Sequence, residues 1–94
     1  MPMKEFSNKT VYYKDDAMKI IHRDEDEGPA VLYKKEDACV YYMNNQIHRE
    51  SGPARVYKDI SYYYYYDKCI ASTQDMSDKE WSDFVRSEKL KVFQ

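Results

Sequence analysis

Five residues, His22, Arg23, Gly28, Pro29 and Ala30, recur in the same order as His48, Arg49, Gly52, Pro53 and Ala54. The two Gly-Pro-Ala triplets stand 24 residues apart, and the sets use both glycines, both histidines and two of the three prolines in the chain. Coincidence is a poor explanation for that economy. A repeat with a period of roughly 20 to 50 residues marks an array of supersecondary units, each too small to bury its apolar face alone. The 94 residues give one domain, 1–94, with a single core and little to spare.

Glycine admits positive φ, and proline fixes φ while removing a donor, so each Gly-Pro is a rigid corner that aims the chain into the next strand. Alanine after it suggests close approach of a neighbouring element. The strands that follow are 30–34 and 54–58. Alternation sets Ala30, Leu32, Ala54 and Val56 on one face, with Val31, Tyr33, Arg55 and Tyr57 on the other. Arg55 marks the second face as the wetter one. Polar turns at 35–37 and 59–61 lead into aromatic strands 39–43 and 62–66, which end at Asn44-Asn45 and Tyr66-Asp67, where Asn and Asp tolerate the left-handed conformation of a tight hairpin. An opening hairpin, 10–14 and 17–21 around Asp15-Asp16, is a partial copy, since Val11-Tyr12-Tyr13 matches Val40-Tyr41-Tyr42. Repeats thus span 10–71.

A different grammar begins at Gln74. Ser77-Asp78-Lys79-Glu80 is a capping box, Met76 and Trp81 hold the positions of a hydrophobic staple, and Trp81, Phe84 and Val85 share a helical face. A helix over 77–88 is expected to lie against the final repeat and cover an open sheet end, as terminal caps of arrays must. Beyond it, Leu90, Val92 and Phe93 alternate as a short strand or an apolar latch would. The fold class is mainly β: an antiparallel sheet of β-hairpin repeats, about six or seven strands, capped by one C-terminal α-helix.

The string from Tyr41 through Asn44-Asn45 and His48-Arg49 to Gly52-Pro53-Ala54 resembles the MORN-like tandem repeats of small proteins from bacteriophages and large DNA viruses. Those read approximately aromatic-Tyr-x-Asn-Gly-x-x-His-Arg-x-x-Gly-Pro-Ala, and their arrays commonly finish in a short acidic helix containing Glu-Trp, as 77–85 does here. The likeness covers about residues 11–88. It departs where Asn45 and Asp67 replace the turn glycine, where Asp24, Glu25, Asp26 and Glu27 lengthen the first loop, and where Ile70 stands in place of a third histidine. It implies a β-hairpin repeat fold and a phage or viral origin. It brings no established catalytic residues.

The net charge of -2, with 34% of residues charged, gives no field that would draw the chain onto nucleic acid or an anionic membrane. No apolar stretch approaches the roughly 20 residues of a membrane span, and the first residues lack an apolar signal region, so a soluble, cytoplasmic protein inside the host cell is expected. Cys39 and Cys69 have neither CxxC spacing nor partners and are expected to be reduced and idle.

His22, His48, Arg23 and Arg49 offer acid, base and electrostatic groups, but residues repeated with the scaffold serve the scaffold, and an active site is normally asymmetric. These four, with Gly28, Pro29, Gly52 and Pro53, are assigned to the repeat structure. The carboxylates of Asp24, Glu25, Asp26 and Glu27 lack the spaced ligands and glycine of a calcium loop; they read as a solvated loop or as one that docks on a basic surface. Eleven tyrosines, five of them consecutive at 62–66, combine strand propensity with an apolar ring and a polar tip. With Tyr33, Tyr57, Tyr63 and Tyr65 outward, they supply a protein-binding face; nucleobase stacking would need a positive groove that is lacking.

The expected function is that of a non-enzymatic interaction protein, without cofactor or metal. It binds a host protein or complex through the acidic loop and tyrosine face and occludes it, as an inhibitor of a CRISPR-type defence or of nucleic-acid processing would. A small-ligand or nucleotide-binding, sequestering protein is the alternative. A homodimer pairing through an open sheet edge fits either.

Overall fold

In the computed structural model, which describes residues 2–91, seven strands form one antiparallel sheet. They are β1 (Met3–Glu5), β2 (Lys9–Tyr12), β3 (Val31–Tyr33), β4 (Cys39–Val40), β7 (Arg55–Val56), β8 (Ser61–Tyr65) and β9 (Lys68–Ser72), adjacent in that order. Between β4 and β7 the chain leaves the sheet as a separate hairpin, β5 (Tyr42–Met43) and β6 (Gln46–Ile47). One helix, α1 (Asp78–Lys91), closes the order. The fold is the mainly β, hairpin-repeat sheet with one C-terminal helix that the sequence implies.

Each repeat is pinned at its two ends. The tight turns fall at Asn44-Asn45 (φ 51 and 68) and Tyr66-Asp67 (φ 43 and 70), both in the left-handed region that primed hairpin turns require. Ala30 and Ala54 are fully buried at the pinch between strands: Ala30 accepts from the amide of Tyr12 and donates to Val40, and Ala54 does the same between Tyr41 and Tyr62. A larger side chain would hold the strands apart.

The core is in two parts. Val11, Tyr13, Val31 and Val40 form the first, under Phe6, Ile21, Tyr33, Tyr42 and Ile47. Tyr63, Trp81 and Val85 form the second, with Tyr65, Ile70, Met76 and Phe84 around them. Register explains the first, because Val11 pairs with Val31 and Val31 with Val40, stacking three β-branched side chains across neighbouring strands.

Three expectations about the sheet are corrected. The sheet begins at Met3 rather than residue 10, because β1 pairs with β2. Residues 17–21 are not a strand; only Tyr13 and Ile21 bridge, because the Asp15 carboxylate accepts the amides of Lys19 (3.0 Å) and Ile20 (2.9 Å) and closes the segment into a loop. Assignment of the faces was inverted in the first half: Val31 is 5% exposed and Leu32 37%, since the hairpins carrying Tyr13, Ile21, Tyr42 and Ile47 fold over the valine face. Only the Arg55 end of that face stays open.

The helix ends three residues later than expected and includes Leu90, which is exposed; Val92 and Phe93 lie outside the described residues. Its capping box is formed, with Ser77 Oγ accepting the Glu80 amide and Glu80 Oε1 accepting that of Ser77, both at 3.2 Å. Rather than covering an edge, it covers a face: Trp81 stacks on Tyr63 with centroids 5.0 Å apart, and β9 remains the terminal strand of the sheet. Among the described residues no helix is long and apolar enough to cross a membrane.

Candidate functional site

The repeated corner is a three-layer sandwich. The Arg23 guanidinium lies 3.9 Å from the Tyr12 ring centroid and that of Arg49 lies 4.0 Å from Tyr41. On its other side each guanidinium meets a glycine. A Cβ built on Gly28 would stand 3.1 Å from Arg23 Nη1, and one on Gly52 3.4 Å from Arg49 Nη1. Each arginine also donates to the following proline carbonyl, Arg23 to Pro29 (3.3 Å) and Arg49 to Pro53 (3.2 Å). Cation–π attraction, the bare glycine and the proline carbonyl thus explain why Arg, Gly and Pro travel together.

The histidines join one repeat to the next. His22 Nδ1 accepts the amide of Asn44 at 3.1 Å, and His48 Nδ1 accepts that of Tyr66 at 2.9 Å. Nε2 therefore carries the proton and faces a carboxylate, Asp24 at 3.3 Å from His22 and Glu50 at 3.4 Å from His48. His48 is 1% exposed, with Tyr66 stacked on it at 3.9 Å. Burial holds its pKa below the ordinary value, outweighing the Glu50 carboxylate that favours the charged form. Both ring nitrogens of each histidine are committed, so His22, Arg23, Gly28, Pro29, His48, Arg49, Gly52 and Pro53 all sit in scaffold contacts.

The acidic loop is not uniform. Glu25 is half-buried, and its Oε2 accepts the amides of Glu50 (2.9 Å) and Ser51 (3.4 Å), tying the first corner to the second. Asp26 and Glu27 are exposed and have no ion-pair partner among the described residues. Together Asp24, Glu25, Asp26, Glu27 and Glu50 wall an open groove of about 340 Å³ that also takes in Met43. Glu50 is engaged by Lys89 of α1 at 2.6 Å. Burial opposes its ionisation, but the hydrogen bonds from Lys89 and His48 win and hold its carboxyl below the usual value. No cluster of three or more side chains suited to a metal ion occurs among the described residues.

The tyrosines divide. Tyr63 is 1% exposed, and half-buried Tyr65 packs edge-on against Trp81, Phe84 and His48, so both turn towards α1. Alternation along 62–66 holds, but its phase is the reverse of the one expected, because α1 lands on the Tyr63 side. Burial, then the Asp78 carboxylate that accepts its hydroxyl at 2.8 Å, pushes the Tyr63 phenol up to about 12. Tyr33 packs on the valine core, and Tyr57 lies over Arg55. Glu25 and Glu50 also line a groove along α1, whereas Tyr33 and Tyr57 share the opposite pleat with Val31 and Arg55. The acidic loop and Tyr57 therefore line different grooves.

Arg55, Tyr57, Tyr62, Tyr64 and Cys69 line a second open groove of about 320 Å³. Arg55 is read from the sequence only as the mark of a wetter face, and Tyr62, Tyr64, Met43 and Glu50 are not named there as site residues; Glu50 is legible in the repeat, since it follows His48-Arg49 as Asp24 follows His22-Arg23. Comparison of the chain with protein-family models, curated proteins and solved structures gives no match.

Proposed function

We propose that the protein is a non-enzymatic interaction module that docks on, and occludes, a basic protein surface through the carboxylate-walled groove between its first two repeats. The observation that carries the reading is the composition of that groove: five carboxylates around Met43, with no basic side chain in its lining. A lysine or arginine from a partner has an apolar stem and a charged head, and it fits a methionine floor with acidic walls. Opposite charge also speeds encounter and selects against acidic partners. Scaffold use of both His-Arg pairs fits a binding role better than a hydrolytic one.

On the resemblance to phage and large-virus repeat proteins, the partner is a host complex, of the defence or nucleic-acid-processing kind, met in the host cytoplasm. The test has two stages. The immobilised protein is used to capture its partner from host lysate, and the affinity of that partner is then compared for the wild type and the double variant Asp26→Asn/Glu27→Gln. These two side chains make no contact that folding needs, so the variant is expected to fold normally and bind at least tenfold more weakly, with a shallower dependence on salt. Undiminished binding by the double variant would move the site elsewhere.

A further inference from the structure

The guanidinium of Arg55 is a partly buried cation with no carboxylate paired to it among the described residues. Its Nη1 donates to the Tyr64 hydroxyl at 3.3 Å and its Nη2 to the Tyr57 hydroxyl, while its Nε is buried without a partner. A phenol oxygen that accepts from a guanidinium still has its own proton to give, and the polarised hydroxyl gives it more strongly. Among the described residues nothing accepts from the hydroxyl of Tyr57 or Tyr64. Two hydroxyl donors without an acceptor and a cation without a counter-ion among the described residues therefore converge on one groove. Burying a charge costs free energy unless it is paired, so such a cluster is completed by an anion.

The walls set the rest of the ligand. Tyr57 and Tyr62 stand edge to face, with centroids 6.1 Å apart and planes at 78°, so one ring offers its face and the other its edge to a flat group. At about 320 Å³ the groove is at the small end of ligand sites. We infer that the Arg55 groove binds a small oxyanion, a phosphate monoester or a carboxylate, carried on a planar ring. This site shares no lining residue with the carboxylate-walled groove and does not depend on how that groove is used.

Calorimetry and thermal melts of the full chain with four probes test it: adenosine 5′-monophosphate, adenosine, benzoate and inorganic phosphate. Binding of the nucleotide or of benzoate, with adenosine silent, is the expected result, and which of the two binds tells phosphate from carboxylate. A probe at a hundredfold its Kd should raise Tm by roughly 10 °C. Arg55→Met, and separately Tyr57→Phe/Tyr64→Phe, which keeps both rings and removes both hydroxyls, should each weaken binding at least tenfold while melting as folded proteins. If all four probes are silent on the wild type, if adenosine binds as well as its monophosphate, or if binding survives both variants, the inference is overturned.

Discussion

Trp81 stacks on Tyr63, with centroids 5.0 Å apart, in the place that Arg23 takes over Tyr12 and Arg49 takes over Tyr41. Tyr63 is the third copy of the tyrosine at that repeat position, and the third copy has Ala71 where the earlier two have arginine. The helix thus completes the last repeat from outside it. Its indole is fully buried, and the indole N–H has no acceptor.

Trp81→Ala should therefore cost about 3–5 kcal/mol, the range for removing a large buried aromatic, and α1 should detach from the sheet. Trp81→Phe should cost clearly less, because no hydrogen bond is lost with the indole. Urea unfolding followed by far-ultraviolet dichroism measures both; equal losses would mean that the stack is not what holds the helix.

Asn45 and Asp67 stand where the resembling repeats have the turn glycine. Their side chains reach the preceding repeat, Asn45 Oδ1 accepting the Ile21 amide at 2.6 Å and Asp67 Oδ1 accepting that of Ile47 at 2.8 Å. Glycine would suit φ of 68 and 70 better yet lose the link. Asn45→Gly and Asp67→Gly should each destabilise, by about 0.5–1.5 kcal/mol for the hydrogen bond lost at an exposed amide. A gain in the urea midpoint for either would show that turn propensity outweighs the link.

The two corner glycines should respond unequally to alanine. Gly28 has φ 130 and its added Cβ would stand 3.1 Å from Arg23 Nη1, whereas the Cβ at Gly52 would stand 3.4 Å from Arg49 Nη1 and meets no positive φ. Gly28→Ala should cost about 1–3 kcal/mol and Gly52→Ala less than half of that. Melting both variants side by side decides the order, and the reverse order would contradict it.

Acid should unfold the protein in two stages. Burial holds the His48 pKa below its ordinary 6.5, and a protonated Nδ1 could no longer accept the Tyr66 amide. Stability is then at its plateau above pH 6.5; as pH falls below that value the unfolded chain takes up a proton that the folded chain resists, and stability declines. Glu50, held below its ordinary 4.5, adds a second decline starting at that pH. His48→Phe should be less stable at pH 8 but lose the first decline, leaving the second. A profile whose first decline survives in His48→Phe would assign it to another group.

Much of this was legible in order along the chain. The corners, the turn pairs, the hairpin period and the capping box depend on residues a few positions apart, and their backbone preferences are local. So Gly28-Pro29, Asn44-Asn45 and Ser77 through Glu80 mark their elements.

Which face would be covered was not local. Strand alternation distinguishes Val31 from Leu32 and Tyr63 from Tyr64, but it assigns neither to the inside until another element arrives. The hairpins that fold over Val11, Val31 and Val40 and the helix that lands on Tyr63 come from distant parts of the chain. Tertiary packing alone therefore buried Tyr63, left Arg55 among tyrosine hydroxyls without a counter-ion among the described residues, and used Glu25 as a tether while Asp26 and Glu27 stayed exposed. The sequence determined the repeating unit through short-range conformational preference; the fold decided the surfaces, because exposure depends on what packs from afar.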